Sequence, residues 1–180
     1  LTIYNSLIFS HLSYGLEAWG ATTAKNLKRI IGIQKKAVRI IGKSHWLAHT
    51  EPRMKNLELL KVKDQHQFQC HMMMYNMIKG VSPDVFSYQQ NLNTNLSQRG
   101  LRSSVSHPDI VRLPAHSCSH SKSSFQTSAP SFWNEISEES KKIDSTKRFK
   151  KQIKSSLLET YTEMCICTNP LCIDRRFHQA

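Results

Sequence analysis

Four soft metal ligands stand close together near the end of this 180-residue sequence. They are Cys165, Cys167, Cys172 and His178. Thiolate and imidazole groups in that number satisfy a tetrahedral zinc ion. The spacing C-x-C-x4-C-x5-H departs from the established structural zinc frameworks, so free thiols are the favoured interpretation and these residues are weak metal candidates. We therefore predict no cofactor for this chain.

A second group of soft ligands alternates along the chain at His116, Cys118 and His120. On a strand, alternate residues share one face, so the three side chains could meet one metal ion. Serines surround them, and a polar loop is the favoured interpretation. Cys70 and His71 are a possible nucleophile pair, but adjacent helical residues face different ways, so the local sequence gives no reason to prefer that chemistry.

The acidic residues offer no catalytic centre for phosphoryl transfer. Two-metal chemistry needs paired carboxylates, whereas the five aspartates of this sequence are all isolated. The six glycines are scattered and form no phosphate-cradling loop. We predict no catalytic residue and no enzymatic activity for this chain alone.

Positive charge is concentrated in one stretch. The sequence has 25 Lys and Arg against 13 Asp and Glu, a formal net charge of +12. Residues 25 to 63 hold 11 basic and 2 acidic residues, an excess of nine. Such a surface neutralises nucleic-acid phosphates, but it could equally be a solvated helix face. The candidate phosphate-binding residues are Lys25, Lys28, Arg29, Lys35, Lys36, Arg39 and Lys43.

The mode of nucleic-acid contact follows from the residue types. Aromatic residues do not interleave with the basic ones, so no stacking platform for single strands is predicted. Contacts to phosphates position a protein on a duplex without reading its sequence, and base readout is not indicated.

Apolar residues at every third or fourth position predict the helices that carry these groups. The predicted helices span 3–19, 24–42, Thr50 to Leu60 with Thr50 as cap, 62–79, a short helix around Phe132 to Ile136, and a longer one capped by Ser145 or Thr146 and continuing to Tyr161. In helix 24–42 an apolar stripe faces the core, and the basic residues are spread over the rest of the surface. The methionine run Met72 to Met74 is interpreted as core filling rather than as a binding surface.

Between these helices the composition changes. Asn, Gln and Ser dominate residues 87 to 124, where we predict a loop-rich linker with short strands around Ile110 to Leu113 and Ser124 to Thr127. The predicted fold class is mainly α. The predicted regions are a helical region at 1–86, the linker at 87–124, a C-terminal helical region at 125–162 and a Cys-containing tail at 163–180.

Composition also bears on the compartment. The longest uncharged apolar run, Leu1 to Leu16, is shorter than the roughly 20 residues of a membrane span, so no membrane partner is predicted. Five cysteines, an odd number, favour reduced thiols and an intracellular protein, in nucleus or cytoplasm. The first residue is Leu, which favours a fragment of a longer chain.

The sequence contains a series of short motifs in both halves of the chain. The N-terminal half contains Leu7-Ile8-Phe9-Ser10-His11-Leu12-Ser13-Tyr14-Gly15, Ala18-Trp19-Gly20, Gln34-Lys35-Lys36-Ala37-Val38-Arg39-Ile40-Ile41 and His49-Thr50-Glu51-Pro52. The C-terminal half contains Arg99-Gly100-Leu101-Arg102, Ser124-Phe125, Ala129-Pro130, Trp133-Asn134 and Phe149-Lys150-x-x-Ile153-Lys154. In this order they resemble the region that follows the polymerase core in reverse transcriptases of non-LTR (LINE-type, jockey-like) retrotransposons, over about residues 3 to 161.

The resemblance implies a role for the basic helix. Residues 1 to about 86 would correspond to the helical thumb of the RNA-directed DNA polymerase, and the rest to a C-terminal extension. The palm, with its catalytic aspartates and Mg²⁺, lies upstream of this sequence, so none of its residues is carried over. The implied partners are an RNA/DNA hybrid or duplex, held by its backbone, and the upstream palm.

Two alternatives stay open at this point. The chain could be a non-catalytic helical module that binds another protein through its apolar first helix and its Met-rich helix. It could also be a non-functional relic of an element, which protein chemistry alone does not distinguish from the other two.

Overall fold

The computed structural model describes residues 1–82, 110, 111, 113 and 124–161. A π-helical segment, Tyr4–Phe9, comes first. The α-helices are α1 (Ser10–Ser13), α2 (Leu16–Trp19), α3 (Ala24–Ile41), α4 (Glu51–Asn56), α5 (Val62–Ile78), α6 (Phe125–Glu135), α7 (Glu138–Lys141) and α8 (Thr146–Glu159). The predicted mainly α fold class is confirmed. The bounds of α3, α5 and α8 agree with the predicted helices within two residues.

The predicted single helix over 3–19 is wrong, because the chain turns between α1 and α2. Tyr14 is extended and Gly15 has φ of 60°, a conformation that glycine adopts without steric cost. The π-helical segment before the turn also changes which side chains face inward. Tyr4 is buried, whereas Ile3 and Leu7 of the expected apolar face are exposed.

Three further predicted details are wrong, and one predicted strand is not confirmed. The strand expected at Ser124 to Thr127 is the start of α6, which continues through the buried Pro130. At Ile110 to Leu113 the described residues form no extended strand; the backbone of Val111 instead exchanges hydrogen bonds with the side-chain amide of Asn134, at 3.0 and 2.9 Å. Helix α4 ends at Asn56 rather than Leu60, and the Thr50 side chain makes no capping hydrogen bond.

The chain forms two compact units. Within the described residues, unit 1 contains 1–16, 22–65 and 154–161, and unit 2 contains 17–21, 66–82, 110, 111, 113 and 124–153. Each unit combines residues from both sides of the predicted linker. The four regions drawn from composition follow sequence order and stay a prediction.

A buried glutamine organises unit 1. The Gln34 amide donates to the Tyr4 hydroxyl at 3.2 Å and to the Leu60 carbonyl at 2.8 Å. Its side-chain oxygen accepts the Val62 N–H at 3.1 Å. Gln34 therefore replaces the partners that these groups would find in water, and it joins α3 to the π-helical segment and to the start of α5.

We predict that Gln34→Leu lowers the free energy of unfolding of unit 1 by about 2 to 4 kcal/mol, because it leaves a buried amide and a buried carbonyl without partners. Urea unfolding measures this loss. The control is Asn56→Leu, an exposed residue at the end of α4 that also belongs to unit 1, which we expect to change stability by less than about 0.5 kcal/mol. Equal stability of the two variants would show that the buried network is not needed.

Tyr161, at the end of the described part of unit 1, contacts the residues around the start of α5. The Tyr161 hydroxyl donates to the Asp64 carboxylate and accepts the Lys61 N–H at 2.8 Å. The Lys61 ammonium lies 4.3 Å from the centre of the Tyr161 ring, a cation–π contact. Burial, together with the neighbouring carboxylate, raises the pKa of Tyr161 far above its ordinary value, so the hydroxyl keeps its proton and remains a donor.

Aromatic stacking forms the core of unit 2. The rings of Tyr75 and Phe149 stack with centroids 4.3 Å apart, and Trp133 packs against Phe149 at 6.1 Å. The Tyr75 hydroxyl lies 2.9 Å from the Ile143 carbonyl and 2.6 Å from the Asp144 carbonyl. Of the run Met72 to Met74, Met74 is buried, whereas Met72 and Met73 are half-buried, so core filling describes Met74 alone.

Among the residues that the structure describes, no helix combines the length and the apolar character that a membrane span requires.

Candidate nucleic-acid interface

Helix α3 is the element that carries most of the predicted phosphate-binding residues. Its 18 residues extend over about 27 Å. Leu27, Gln34, Ala37 and Val38 are buried on one side. The helix therefore has one face fixed in the core of unit 1, and the direction of every other side chain follows from its position.

The basic residues of α3 occupy a narrower sector than the sequence interpretation assumed. At about 100° per residue they lie within about 120° of the circumference, opposite the buried side, rather than over all of the remaining surface. Lys25, Lys28, Arg29, Lys35 and Lys36 are exposed. We call these five residues the basic face.

A glycine lies in the middle of the basic face. Apart from its chain neighbours and the nearby backbone of α3 itself, nothing lies within 4 Å of the position that a Cβ at Gly32 would occupy, so the space above the helix is open there. Lys28 and Arg29 precede this gap by one turn, and Lys35 and Lys36 follow it by one turn. A phosphate backbone can therefore approach the helix axis closely between two pairs of cations.

Arg39 and Lys43 differ from the basic face in their surroundings. Arg39 is half-buried, and its Nε donates to the carbonyl of the buried Ala48 at 2.8 Å, which holds the loop after α3. Lys43 follows the C-terminus of α3 with φ of 47°. A cation there is favoured by the helix dipole without any ligand. Arg39 and Lys43 thus have structural roles that their charge alone did not reveal.

Two isoleucines lie at one border of the basic face. Ile33 and Ile40 are 56% and 78% exposed, outside the buried side of this amphipathic helix. They are seven residues apart, so they share one side of α3. Isoleucine on an amphipathic helix is normally interpreted as a core residue, so sequence reasoning did not single out these two. Their angular position next to Lys36 is the signal that could have identified them as exposed.

The candidate nucleophile pair of the sequence is not assembled. Cys70 is fully buried in unit 2, and its sulfur lies 3.5 Å from Nε2 of His66, one turn earlier, rather than beside His71. Burial raises the pKa of the Cys70 thiol to about 12, and the nearby Glu17 acts in the same direction. Since the thiolate is the nucleophile, Cys70 is an inert core residue at neutral pH.

His71 is a second buried histidine of unit 2. Its Nε2 donates to the Phe132 carbonyl at 3.1 Å, while Nδ1 has no partner among the described residues. Burial lowers the pKa of His71 to about 4 from an ordinary value of 6.5. Burial also lowers the pKa of His66, against the effect of Glu17. Both imidazoles are therefore neutral at pH 7.

We predict that acid destabilises unit 2 through His71. Because the pKa of His71 is lower in the folded state, the unfolded chain binds more protons than the folded chain between pH 6.5 and about 4. The free energy of unfolding of unit 2 therefore decreases as the pH is lowered through that range. The full effect is about 3 kcal/mol. Urea unfolding at about pH 7.5 and 4.5 measures it. His71→Phe should show a smaller difference between the two pH values than wild type, and His11→Phe, an exposed histidine, is the control. An unchanged pH dependence in His71→Phe would contradict the prediction.

The metal candidates lie in other parts of the chain. The described residues contain no group of three or more His, Cys, Asp or Glu arranged to hold a metal ion. His116, Cys118, His120, Cys165, Cys167, Cys172 and His178 lie outside the described residues, as does the string from Arg99 to Arg102. Their metal binding stays a question of sequence pattern.

Comparisons of the chain with protein-family models, with curated proteins and with solved structures return no match. The likeness to retrotransposon reverse transcriptases therefore stays a prediction from the strings quoted above. What the geometry adds to it is one exposed, basic and glycine-interrupted helix face.

Proposed function

We propose that the basic face of α3 binds a nucleic-acid duplex through its phosphates, in a chain that forms the thumb-like and downstream part of a non-LTR retrotransposon reverse transcriptase. On this proposal, the chain alone is not an enzyme. The upstream palm would supply the catalytic aspartates and Mg²⁺. Such a protein would act inside the cell, in the nucleus or the cytoplasm.

The absence of acidic residues from α3 carries this proposal. Solvated helix faces commonly alternate signs, because Glu and Lys one turn apart stabilise a helix. The sequence of α3 has six basic residues and no acidic residue. None of the five basic-face residues forms an ion pair with a described acidic residue. Like charges one turn apart destabilise a helix, so an arrangement of this kind favours an external anion that offsets the repulsion.

The shape of the site favours a duplex held by its backbone. The five cations of the basic face follow one side of the helix in a line of about 17 Å, from Lys25 to Lys36. A double helix presents phosphates continuously along such a line. No aromatic side chain belongs to the basic face, so base stacking contributes nothing to the proposed contact.

Salt dependence tests the proposal. The full chain is titrated against a labelled DNA duplex and an RNA/DNA hybrid, at salt concentrations from about 50 to 200 mM. Neutralisation of five phosphates predicts a slope of about −4.5 in a plot of log affinity against log salt. Affinity that does not change with salt, or no binding at all, would overturn the proposal. Primer extension with Mg²⁺ should give no product, and any polymerisation would overturn the non-catalytic assignment.

Exposed apolar side chains favour a second candidate, a protein-interaction module. Ile3 and Leu7 lie one turn apart on the N-terminal segment and are 73% and 64% exposed. If they bind a protein, replacing both with Ser should change oligomeric state or partner binding in sedimentation velocity and leave duplex affinity unchanged. Duplex affinity that falls with Ile3→Ser and Leu7→Ser would instead assign these residues to the nucleic-acid site.

A further inference from the structure

A cavity of about 450 Å³ lies within unit 1, beside α3. It is lined by one edge of α3, by the loop that precedes α4, by α4 and by the start of α5. This volume lies in the range of sites for small organic ligands. The cavity is too small for a duplex, but it has room for a single nucleotide.

The lining of the cavity combines apolar and polar side chains. Ile31, Met54 and Val62 supply apolar surface. Thr50 also lines the cavity; it is 6% exposed, and its hydroxyl does not cap α4. A hydroxyl donates one hydrogen bond and accepts others, so a threonine that lines the cavity and does not cap α4 can contact a ligand.

Positive charge exceeds negative charge around the cavity. Its lining has four cations, Lys35, Arg39, Lys61 and Lys63, against two carboxylates, Glu51 and Asp64. The Lys61 ammonium pairs with Glu51 at 2.7 Å, and Asp64 accepts the Tyr161 hydroxyl. Among the described residues, Lys35, Arg39 and Lys63 have no acidic partner. The lining therefore has an excess of two positive charges.

A phosphate monoester matches this excess. It carries a charge of about −1.5 to −2 at pH 7 and three strong acceptor oxygens, whereas a phosphodiester inside a strand carries −1. A concave site also admits a strand end more readily than a continuous strand, which must both enter and leave. Lys35 belongs to the basic face and lines the cavity as well, so the two surfaces are continuous.

We propose that this cavity binds the terminal phosphate monoester of a nucleotide. The choice of a nucleotide as the ligand rests on the proposed function of α3, because a duplex bound to the basic face would bring a strand end to Lys35. A free mononucleotide has the same chemistry, and the experiment separates the two sources.

The experiment compares short labelled duplexes that end in a 5′-phosphate, a 3′-phosphate or only hydroxyl groups, each titrated with the full chain. We expect one phosphorylated end to bind about tenfold more tightly than the hydroxyl end, as for hydrogen bonds to a charged group. Lys63→Gln should remove most of this increment and leave the affinity for the hydroxyl-ended duplex unchanged. Thr50→Val removes the buried hydroxyl and should reduce the same increment. Lys28→Gln, on the basic face and outside the cavity, should weaken all three duplexes by the same factor.

The outcomes separate this inference from the proposed function. Equal affinity for all three ends, with no Lys63-dependent binding of AMP, would overturn the cavity proposal and leave the basic-face proposal intact. If no duplex binds but AMP binds in a manner that depends on Lys63, the cavity proposal holds with a free nucleotide as ligand, and the proposed function falls. If AMP removes only the additional affinity that a terminal phosphate gives to the duplex, the phosphorylated strand end is the occupant of the cavity. Binding of neither duplex nor AMP would overturn both proposals.

Discussion

Replacing Lys25, Lys28, Arg29, Lys35 and Lys36 together with Gln is expected to weaken duplex binding at least about a hundredfold at about 50 mM salt. The same change should remove nearly all of the salt dependence, because the counterions released on binding come from the phosphates that these side chains neutralise. Anisotropy titrations at several salt concentrations measure both effects.

The fold of unit 1 should survive this change. Glutamine has nearly the same helix propensity as lysine and arginine, and the five side chains are exposed. The substitution also removes repulsion between cations one turn apart, so the temperature of unfolding should stay constant or rise slightly. Loss of binding can then be assigned to charge rather than to unfolding.

Unit 2 offers a matched control for net charge. Lys142, Lys147, Arg148, Lys150 and Lys151 are also exposed and also basic. Replacing these five with Gln removes the same charge from another part of the chain, and we expect less than about a threefold loss of affinity. If both variants lose affinity equally, the net charge of the chain rather than the α3 face attracts the duplex. If neither loses affinity, the protein-interaction candidate gains support.

The second large effect concerns stability. Phe149→Ala should lower the free energy of unfolding of unit 2 by about 4 kcal/mol. The Phe149 ring is fully buried, stacked on Tyr75 and packed against Trp133, and these neighbours are themselves buried. Since buried aromatic neighbours cannot collapse into the space that the ring leaves, a cavity remains and adds to the lost burial energy.

Urea unfolding followed by tryptophan fluorescence measures this loss. Lys150→Ala is the control, because it changes the next residue of α8, which is exposed. We expect that variant to stay within about 0.5 kcal/mol of wild type. A loss below about 1 kcal/mol for Phe149→Ala would mean that the stacked core contributes little to unit 2.

Helix periodicity was the most dependable part of the sequence analysis. Residues such as Phe149 and Ile153 repeat at four-residue steps, and both are buried in α8. The same reasoning located α3 and α5. It succeeds in long helices because an apolar stripe must face the core, and its spacing is set by the helix itself.

The same rule failed where tertiary contacts override local preference. At the N-terminus, spacing alone favoured Ile3 and Leu7 as core, whereas the π-helical segment and the turn at Gly15 bury Tyr4 instead. At Ser124 to Thr127, the expected strand is the start of a helix that continues through Pro130, because burial of Ala129, Pro130 and Trp133 outweighs the hydrogen bond that proline cannot donate.

The alignment of the five cations on one side of α3 follows from residue order within the helix. Once residues 24 to 41 are helical, their spacing of three and four places the cations on one side, and no other part of the chain is needed to align them. Only the tertiary structure decided the Gln34 network, the Tyr161 contacts and the cavity. Their partners are 26 to 100 residues apart in the sequence. No local pattern records such a pairing, because it depends on how the helices pack in three dimensions.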